Sequence, residues 1–348
     1  MTVKATTALP IPMQVVGPML MMTQEWQGEV RIPLATYETP LWPSVHRGAL
    51  VSRQCGGIKA VIINDAMARS ILLETPSVQR AVEIQATIVN QREAIAAVIA
   101  GTSRFARLQD LQFQIVGRLL YLRISVSTGD AAGHNMVTKA ADALISWLLQ
   151  AIPDLAYGSI SANYCVDKKV SAVNGILGRG KCVSAELTIP EKICRNFLKT
   201  TPEKIYNLHH KKNLLGSILA GSVRSANAHF ANMLLAFYLA TGQDAANLVE
   251  GSQGIVHADM QDTALYFSVT LPNIIVGTVG NGKAGPMVEQ NLVLLACTAA
   301  QPIGVNARKL ALIAAGTVLC GELSLLAAQT NPGELMRSHE RYERGDHG

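Results

Sequence analysis

One segment, "KLALIAAGTVLCGELSLLAAQ" (residues 309–329), limits what this chain can fold into. Its uncharged run stops at Glu322 and is too short to span a bilayer. We therefore expect it to be a helix buried inside a globular protein. The chain can cover such a helix, because 49% of its 348 residues are hydrophobic and the mean hydropathy is +0.22. The composition predicts a large core and excludes a disordered or low-complexity chain.

The N-terminal stretch "LPIPMQVVGPMLMM" is also apolar, but it contains Pro10, Pro12 and Pro18. These prolines would interrupt the core of a signal peptide or a membrane helix. We therefore predict a soluble, cytoplasmic protein with no membrane partner.

Cysteine spacing and charge exclude several classes of protein. The six cysteines are scattered, with no CxxC pair and no histidine at metal-ligand spacing, so we expect reduced, mostly buried thiols and no metal site. The net charge is +5, and no basic run carries interleaved aromatic residues, which argues against a nucleic-acid partner. A small polyanion such as a nucleotide or coenzyme A suits this charge better.

Hydrophobic periodicity predicts a compact α/β unit in the first half. Residues 77–100 have helical spacing, with a serine at the start and Gly101 as a stop. Alternating residues on either side of Gly117 predict a hairpin, followed by a helix over about 132–151 and a strand over about 156–162. This order resembles a ferredoxin-like, split βαβ domain. A Rossmann fold is not expected, because no GxGxxG motif follows a strand.

The remaining segments predict strands and helices around this unit. The expected elements are strands over 30–36, 58–63, 255–260 and from 264, helices over 225–242, 285–298 and 305–329, and a loose polar tail from 337. The predicted fold class is α+β, with a large helical and β domain formed by residues 1–74 and 161–348. Residues 75–160 are predicted to form an inserted ferredoxin-like domain.

Two motifs place charged residues where a ligand could bind. Lys168 and Lys169 are adjacent, so their side chains diverge on a loop; a solvated pair is the simpler interpretation, and oxyanion stabilisation is the functional one. Asp130 is interpreted either as the N-cap of the helix that begins near Ala132 or as part of a phosphate site there.

Other candidates are open to two interpretations when taken singly. Glu38 lies among apolar residues and prolines, either as a loop acid or as a general acid with a raised pKa. Asp244 follows a predicted helix and suits a capping role, and His339 lies on the polar tail as a surface histidine would. The glycine turn 277–282 is weak evidence for close approach to a ligand.

Together these segments resemble the hydroxymethylglutaryl-coenzyme A reductase family over nearly the whole chain. The motifs occur in family order, and "DKK…GRGK" and "NAHFAN…GQDAAN" are the most specific. The motifs are "PIPMQVVGP", "PLATYETPLW", "TSRFARLQ", "TGDAAGHNM", "ISANYCVDKK", "GRGKCVSAELTIP", "KKNLLGSILAGS", "NAHFAN", "GQDAAN", "PNIIVGTVGNG", "GELSLLAA" and "RSH". They are most similar to the biosynthetic, NADPH-using branch.

The resemblance implies roles for individual residues. Glu38, Lys168, Asp244 and His339 match the catalytic set: a proton donor, a lysine that neutralises an oxyanion, an aspartate that supports both, and a histidine that protonates the coenzyme A thiolate. The implied substrate-binding residues are Ser44, His46, Arg47, Ser161, Asn163, Asp167, Lys169, Lys212 and Asn232. The implied cofactor-binding residues are Ser103, Arg104, Phe105, Asp130, Gly133, Asn135, Met136, Gly280 and Gly282.

The implied activity is reduction of (S)-3-hydroxy-3-methylglutaryl-CoA to (R)-mevalonate and coenzyme A by two NADPH, through a hemithioacetal and mevaldehyde, for isoprenoid biosynthesis. One alternative is the oxidative, NAD-dependent direction. Arg104 beside Ser103 argues against it, because an arginine suits a 2′-phosphate. The other is a non-catalytic coenzyme A-binding homologue, which the presence of all four catalytic residue types disfavours.

The resemblance further implies a homodimer, often paired into a tetramer, with active sites at the subunit boundary. We expect the NADPH segment to come from the neighbour of the chain that supplies Lys168 and Asp244. Some positions depart from the family pattern. Glu74 falls about where the family carries an arginine that meets the substrate carboxylate, and His46 replaces an asparagine. "SVRSANAH" and "VGNGK" replace glycine-rich runs, and a small insertion precedes His339.

Overall fold

The chain folds into a mixed α+β structure in the computed structural model, which describes residues 9–343 except for the side chains of 338, 339 and 341–343. The strands are β1 (Met13–Thr23), β2 (Gln27–Ala35), β3 (Ile58–Glu74), β4 (Arg107–Val116), β5 (Leu119–Ser127), β6 (Ala156–Ile160), β7 (Gly180–Ile189), β8 (Ile255–Gln261) and β9 (Ala264–Ile274).

Thirteen α-helices connect these strands within the described residues. They are α1 (Leu41–Gln54), α2 (Val78–Asn90), α3 (Arg92–Thr102), α4 (His134–Ala151), α5 (Ala172–Leu177), α6 (Glu191–Ile193), α7 (Pro202–Leu208), α8 (Ser217–Leu219), α9 (Phe230–Ala240), α10 (Leu248–Gly251), α11 (Pro286–Leu294), α12 (Val305–Gln329) and α13 (Glu334–Glu343). Cys194–Leu198 and His209–Gly216 are π-helical, and Ala245–Asn247 is a 3₁₀ turn.

The larger part of the sheet carries the main hydrophobic core. Its strand order is β2-β1-β3-β7-β9-β8; β1 and β3 run parallel, and the other neighbours run antiparallel. The long helices α1, α9 and α12 contact this sheet or one another. Their apolar side chains and the inward-facing residues of the strands form one continuous cluster.

Helix α12 is the buried helix that the sequence predicted, and its bounds are those expected. It is long and apolar enough to cross a membrane, yet nearly all of its most apolar stretch is buried inside the protein. It packs closely on its neighbours through glycines. A Cβ added at Gly48 of α1 would lie 2.5 Å from the Cα of Cys320, and one at Gly316 would lie 2.7 Å from Met21. The helix is therefore a core element.

A second group of strands extends the sheet through β3. Up to Ala66, β3 pairs with β7; from Met67 onward it pairs with β5, and near its end it also pairs with β6. The order β4-β5-β3-β6, all antiparallel, is that of a split βαβ unit, and α2, α3 and α4 cover it with a separate core. The domain boundaries at 74/75 and 160/161 stay predictions, and β3 itself belongs to both parts.

Several predicted elements differ from the structure. The predicted helices 225–242 and 285–298 are shorter, at Phe230–Ala240 and Pro286–Leu294. Strand β3 continues to Glu74, although its predicted end was residue 63. The predicted helix 77–100 is two helices that meet at Gln91, whose φ of −97° departs from helical geometry. The tail from 337 was predicted to be loose, but α13 continues through Glu343, and residues 344–348 lie outside the described part.

Candidate active site

The predicted catalytic lysine lies on a strained loop between β6 and α5. We call residues 161–169 the catalytic loop. Three non-glycine residues in it have positive φ: Asn163 (57°), Val166 (45°) and Lys168 (56°). Such angles are uncommon, and for a β-branched residue they mark a true outlier. Loops of this kind cluster at functional sites, where the surroundings hold them in place.

Lys168 and Asp244 form an ion pair at the surface of this loop. The Nζ of Lys168 lies 2.7 Å from Oδ2 of Asp244, and both side chains are partly exposed. The hydrogen bond from Lys168 lowers the pKa of Asp244, so this carboxylate stays ionised at neutral pH. Lys169 is exposed, and its Nζ donates to the carbonyl of Asp167 at 3.3 Å. The structure thus brings together two of the four predicted catalytic residues.

Asp167 is surrounded by cations. Its Oδ1 lies 2.9 Å from Nη1 of Arg179 and 4.0 Å from Nε2 of His134, and its Oδ2 lies 3.5 Å from Nη1 of Arg69. Burial lowers the pKa of His134, so its ring is neutral near pH 7. Ser161 and Asn163 occupy the start of the same loop. Five of the predicted catalytic or substrate-binding residues therefore lie within the catalytic loop, as the sequence implies.

Two charged residues lie beneath the loop. Arg179 and Glu250 are fully buried, with Nη1 and Oε1 2.6 Å apart. Burial raises the pKa of Glu250 to about 7, although Arg179 opposes the shift. Glu250 also accepts the backbone N–H of Lys168 at 3.1 Å. Glu250 lies in none of the sequence motifs, so nothing in the sequence indicated its role.

The predicted cofactor-binding residues meet beside the catalytic loop. We call segments 103–105, 129–136 and 277–282 the cradle. Ala131 and Val279 form a parallel bridge, and the N–H of Thr278 donates to the carbonyl of Asp130 at 2.8 Å. Ser127, at the end of β5, donates to the carbonyl of Phe105 at 3.0 Å. The cradle adjoins the catalytic loop through the 4.0 Å contact between His134 and Asp167.

The cradle suits an anionic nucleotide. Gly133 and Gly280 have φ of 99° and 96°, and the space where a Cβ of Gly280 would lie is open. Asn135 and Met136 lie in the first turn of α4, whose unpaired N–H groups favour anions. Arg104 is exposed, and its guanidinium lies 4.6 Å above the Phe105 ring. Glycines, a helix start and a cation together fit the phosphates of NADPH.

Asp130 has a different structural role from the predicted one. Helix α4 begins at His134 after Gly133, so Asp130 is not its N-cap. Its carboxylate instead accepts the N–H groups of Gly304 (2.9 Å) and Ala307 (3.0 Å) at the start of α12. Asp130 therefore caps a helix, as predicted, but the helix is α12 and not α4. Its role as a cofactor-binding residue stays a prediction.

The loop that carries Asp244 packs directly on the cradle. Gly242 and Gly282 face each other so closely that a Cβ on Gly282 would lie 2.6 Å from the Gly242 carbonyl oxygen. Gln243 exchanges hydrogen bonds with the backbone of Gly277. Lys283 donates to the same Gly242 carbonyl, and burial lowers its pKa to about 8. Lys283 belongs to the "VGNGK" segment that replaces a glycine-rich run of the family. It therefore places a cation on Gly242, two residues before Asp244.

Glu38 lies elsewhere, in a cleft of about 620 Å³. We call this the Glu38 cleft. The substrate-binding residues Ser44, Arg47 and Asn232 line it, together with Ser324. The Nε of Arg47 donates to Oγ of Ser324 at 3.0 Å, and Ser44 is 3.1 Å from the same oxygen. The size and the cation suit the acyl and phosphate groups of a coenzyme A thioester.

A buried carboxylate organises the wall of this cleft. Glu322 of α12 accepts the N–H groups of Ala228 (2.5 Å) and His229 (3.0 Å), and burial raises its pKa to about 7. Its charge acts on Lys212, whose own pKa is lowered by burial. Burial also lowers the pKa of His229 to about 4, so that ring is neutral where it meets Asn232. Lys212 is not among the residues that line this cleft, and its role in binding substrate stays a prediction.

Within one chain, the Glu38 cleft is far from the catalytic loop. Asn232 lies in the first turn of α9, while Asp244 follows its other end, so about 12 Å of helix lies between Asn232 and Ala240. Helix α12 separates the cleft from the cradle in the same way. Asp130 of the cradle binds the start of α12, and Ser324 of the same helix lines the cleft. Ser324 lies nineteen residues after Val305, which is about 29 Å along the helix.

The remaining predicted residues lie outside the catalytic loop and the cradle. His46 lies on α1, where its Nδ1 accepts the N–H of Gly17 at 3.4 Å. His339 falls in α13, but its side chain lies outside the described residues. Glu74 ends β3 and lies 3.8 Å from Arg118. Arg69, five residues earlier on β3, lies 3.5 Å from Asp167, and the effect of Glu74 on substrate binding stays a prediction.

A lysine–aspartate pair beside a glycine-rich cradle that suits an anionic nucleotide fits an oxidoreductase that acts on a carbonyl group. Comparison with known sequences makes this specific. The profile of the hydroxymethylglutaryl-coenzyme A reductase family matches residues 4–344, so the chain belongs to this family, whose reaction is the reduction of 3-hydroxy-3-methylglutaryl-CoA to mevalonate.

Relatives and solved structures agree with this assignment. The 3-hydroxy-3-methylglutaryl-coenzyme A reductase of Aeropyrum pernix is 45% identical over 340 residues, covering 97% of this chain and 80% of the relative. That of Pyrococcus horikoshii is 44% identical, covering 91% and 78%. The class II enzyme of Streptococcus pneumoniae, solved bound to NADPH, has a TM-score of 0.74 at 20% identity and covers 95% of this chain and 78% of that chain. At that identity, the last likeness shows the fold alone.

Proposed function

We propose that this protein reduces 3-hydroxy-3-methylglutaryl-CoA to mevalonate and coenzyme A with two NADPH, in the biosynthetic direction. The observation that carries the proposal is the Lys168–Asp244 pair, 2.7 Å across, beside a cradle that suits a nucleotide. NADPH held there supplies hydride. The protein's own residues must then neutralise the oxygen, protonate the leaving group and bind the acyl chain.

Lys168 is the group suited to the oxyanion. Addition of hydride to a thioester carbonyl leaves a negative charge on oxygen, and a partly desolvated ammonium stabilises that charge more than it stabilises the neutral carbonyl. Asp244 keeps the ammonium charged and fixes its direction. Collapse of the hemithioacetal releases coenzyme A thiolate, to which His339 donates a proton. Glu38, when protonated, gives a proton to the aldehyde oxygen in the second reduction.

The positions of these groups support a site shared by two chains. Hydride transfer requires reacting atoms about 3–3.5 Å apart, whereas α12 separates the cradle from the Glu38 cleft by about 29 Å in one chain. We infer that one chain contributes Lys168, Asp244 and the cradle, and that its neighbour contributes the Glu38 cleft. This revises the expectation that the NADPH segment and Lys168 come from different chains, because the two adjoin each other within one chain. Tetramer formation and a cytoplasmic location stay predictions.

The proposal is tested by following NADPH absorbance with purified protein and thioester. Turnover with NADPH is expected; turnover with NADH alone would favour the oxidative alternative, and none with either would favour a non-catalytic binding protein. Lys168→Met should lower kcat at least 10²–10³-fold, because one oxyanion donor is worth about that much, with thioester affinity largely kept. Lys169→Met is the matched control and should raise KM instead. Unaltered turnover in Lys168→Met would remove the oxyanion role.

Preference for NADPH over NADH is assigned to Arg104. Replacement by alanine should raise the KM for NADPH roughly tenfold or more while leaving that for NADH nearly unchanged, since only NADPH carries the 2′-phosphate. Arg107→Ala, an exposed arginine three residues away on β4, is the matched control and should leave the ratio as it is. An unchanged ratio in Arg104→Ala would mean that another residue binds the phosphate.

A further inference from the structure

The strained backbone of the catalytic loop requires something to hold it. Asn163, Val166 and Lys168 each have φ between 45° and 57°. Residues in such conformations persist only where their surroundings over-determine them. If Lys168 relaxed to negative φ, its side chain would leave the direction that brings Nζ to 2.7 Å from Asp244.

One short segment contacts Lys168 at both ends. Asp244 accepts from the side-chain ammonium, and six residues later Glu250, in the short helix α10, accepts from the backbone N–H at 3.1 Å. Between them lies a 3₁₀ turn whose start is fixed by Asp244, which accepts the N–H of Ala246 at 3.0 Å. The spacing between the two acids therefore sets the distance between the amide and the ammonium of one lysine.

Glu250 is held rigidly enough to act as a fixed point. It is completely buried, and its Oε1 lies 2.6 Å from Arg179, which is also completely buried. Its Oε2 accepts from Nδ2 of Asn174 at 3.4 Å. The same Nδ2 donates to the carbonyls of Cys165 (3.1 Å) and Val166 (3.0 Å). Asn174 and Glu250 thus bind the catalytic loop at three backbone positions, the carbonyls of residues 165 and 166 and the amide of residue 168.

We propose that Glu250 is a positioning residue for Lys168: its carboxylate holds the lysine backbone in the left-handed conformation from which the ammonium reaches the reacting oxygen. The role in turnover rests on the proposed function. The claim about the backbone does not, since it concerns one hydrogen bond from the Lys168 N–H to the Oε1 of Glu250.

A different role is open to the same residue, namely to balance the charge of Arg179. Two conservative variants separate the roles. Glu250→Gln removes the charge but keeps an oxygen at the position that accepts the Lys168 N–H. Glu250→Asp keeps the charge for Arg179 but withdraws the oxygens by one carbon–carbon bond, about 1.5 Å. If Glu250 positions Lys168, Glu250→Asp should lower kcat more than Glu250→Gln does. If Glu250 only balances the charge of Arg179, Glu250→Gln should lower kcat more.

Both variants and the wild type are purified, their melting temperatures compared, and kcat, KM and the dissociation constants of thioester and NADPH measured. Glu250→Asp should lower kcat roughly 10–100-fold, because a buried donor loses its partner. Glu250→Gln should lower kcat less than about fivefold, because the amide oxygen of glutamine can still accept the Lys168 N–H. Both dissociation constants should stay within about threefold, because the group acts on the reacting state. Greater damage from Gln than from Asp, equal damage from both, or a change in KM alone would overturn the proposal.

Hydrogen exchange at the Lys168 amide tests the geometry without any turnover. The amide should exchange about tenfold or more faster in Glu250→Asp than in the wild type, as expected when a buried hydrogen bond is lost. Exchange in Glu250→Gln should be close to that of the wild type. A wild type that fails to consume NADPH would defeat the proposed function, and the exchange rates would still decide the positioning. Equal exchange in all three proteins would refute it.

Discussion

At the scale of single residues, both halves of the site rest on a buried acid. Glu250 lies under Lys168 and Glu322 lies behind His229, and burial raises the pKa of each to about 7. A buried carboxylate is stable only with partners. Both acids accept backbone N–H groups of the site segments, and Glu250 also pairs with the buried Arg179. Sequence motifs located Lys168 and Asp244. They could not reveal the supporting roles of Arg69, Glu250 or Glu322, because these depend on contacts between residues distant in sequence.

His339 is the residue whose role can be separated by choice of substrate. Its proton is needed for the thiolate only, so His339→Gln should slow reduction of the thioester by about 10²–10⁴-fold, the usual contribution of a general acid. Reduction of free mevaldehyde by NADPH should change far less. Glu38→Gln is the matched control and should slow both reactions. Equal losses on the two substrates in His339→Gln would contradict the thiolate-protonating role.

At the scale of elements, the sequence predicted a helix that is buried along most of its length. It missed the end of a strand that passes from one half of the sheet to the other. Helix α12 is apolar over most of its length, and its bounds were predicted correctly. Strand β3 was predicted to end at residue 63, because the polar residues Asn64 and Asp65 break the apolar pattern there. These residues mark the passage from one half of the sheet to the other, where Lys181 lies 3.1 Å from Asp65. Partners on distant strands fix that passage, and a local pattern cannot show them.

Close contact between α1 and α12 depends on Gly48. Gly48→Ala would drive a Cβ against the backbone of Cys320, so we expect the free energy of unfolding to fall by about 1–3 kcal/mol, or more if the backbone cannot shift. Gly101→Ala, in α3, is the matched control: nothing lies within 4 Å of its added Cβ. It should leave stability unchanged or raise it by up to about 1 kcal/mol through helix propensity. Urea unfolding followed by circular dichroism measures both, and equal stability in Gly48→Ala would show that the helices can move apart.

At the scale of the whole molecule, the predicted site residues fall into two groups at opposite ends of α9 and α12. Motif order along the chain could not reveal this division, because Asn232 and Asp244 are close in sequence and both belong to specific motifs. The helix α9 between them places them at opposite ends, and the proposal assigns them to different halves. The proposed dimer joins the halves of two chains, and a closed pair with two-fold symmetry would contain two complete sites.

Mixed dimers test that arrangement directly. Lys168→Met and Glu38→Gln chains are each expected to be nearly inactive alone. After mixing and exchange of subunits, half of the dimers are hybrids, each with one intact site, so about a quarter of the wild-type activity should return. Lys168→Met mixed with Asp244→Asn is the matched control and should recover nothing, because both changes affect the same half. Recovery in neither mixture would place each complete site within a single chain.

In the proposed dimer, helix α12 would also make output depend on how many copies of the protein are present. Asp130 binds one end of the helix and Ser324 lines the cleft near the other, so the helix holds the two proposed half-sites of one chain apart. If turnover requires two chains, the rate per chain falls on dilution below the dissociation constant of the pair, as mass action requires. A small drop in synthesis near that threshold then lowers mevalonate production more than proportionally, and a saturating ligand that binds across the boundary restores it.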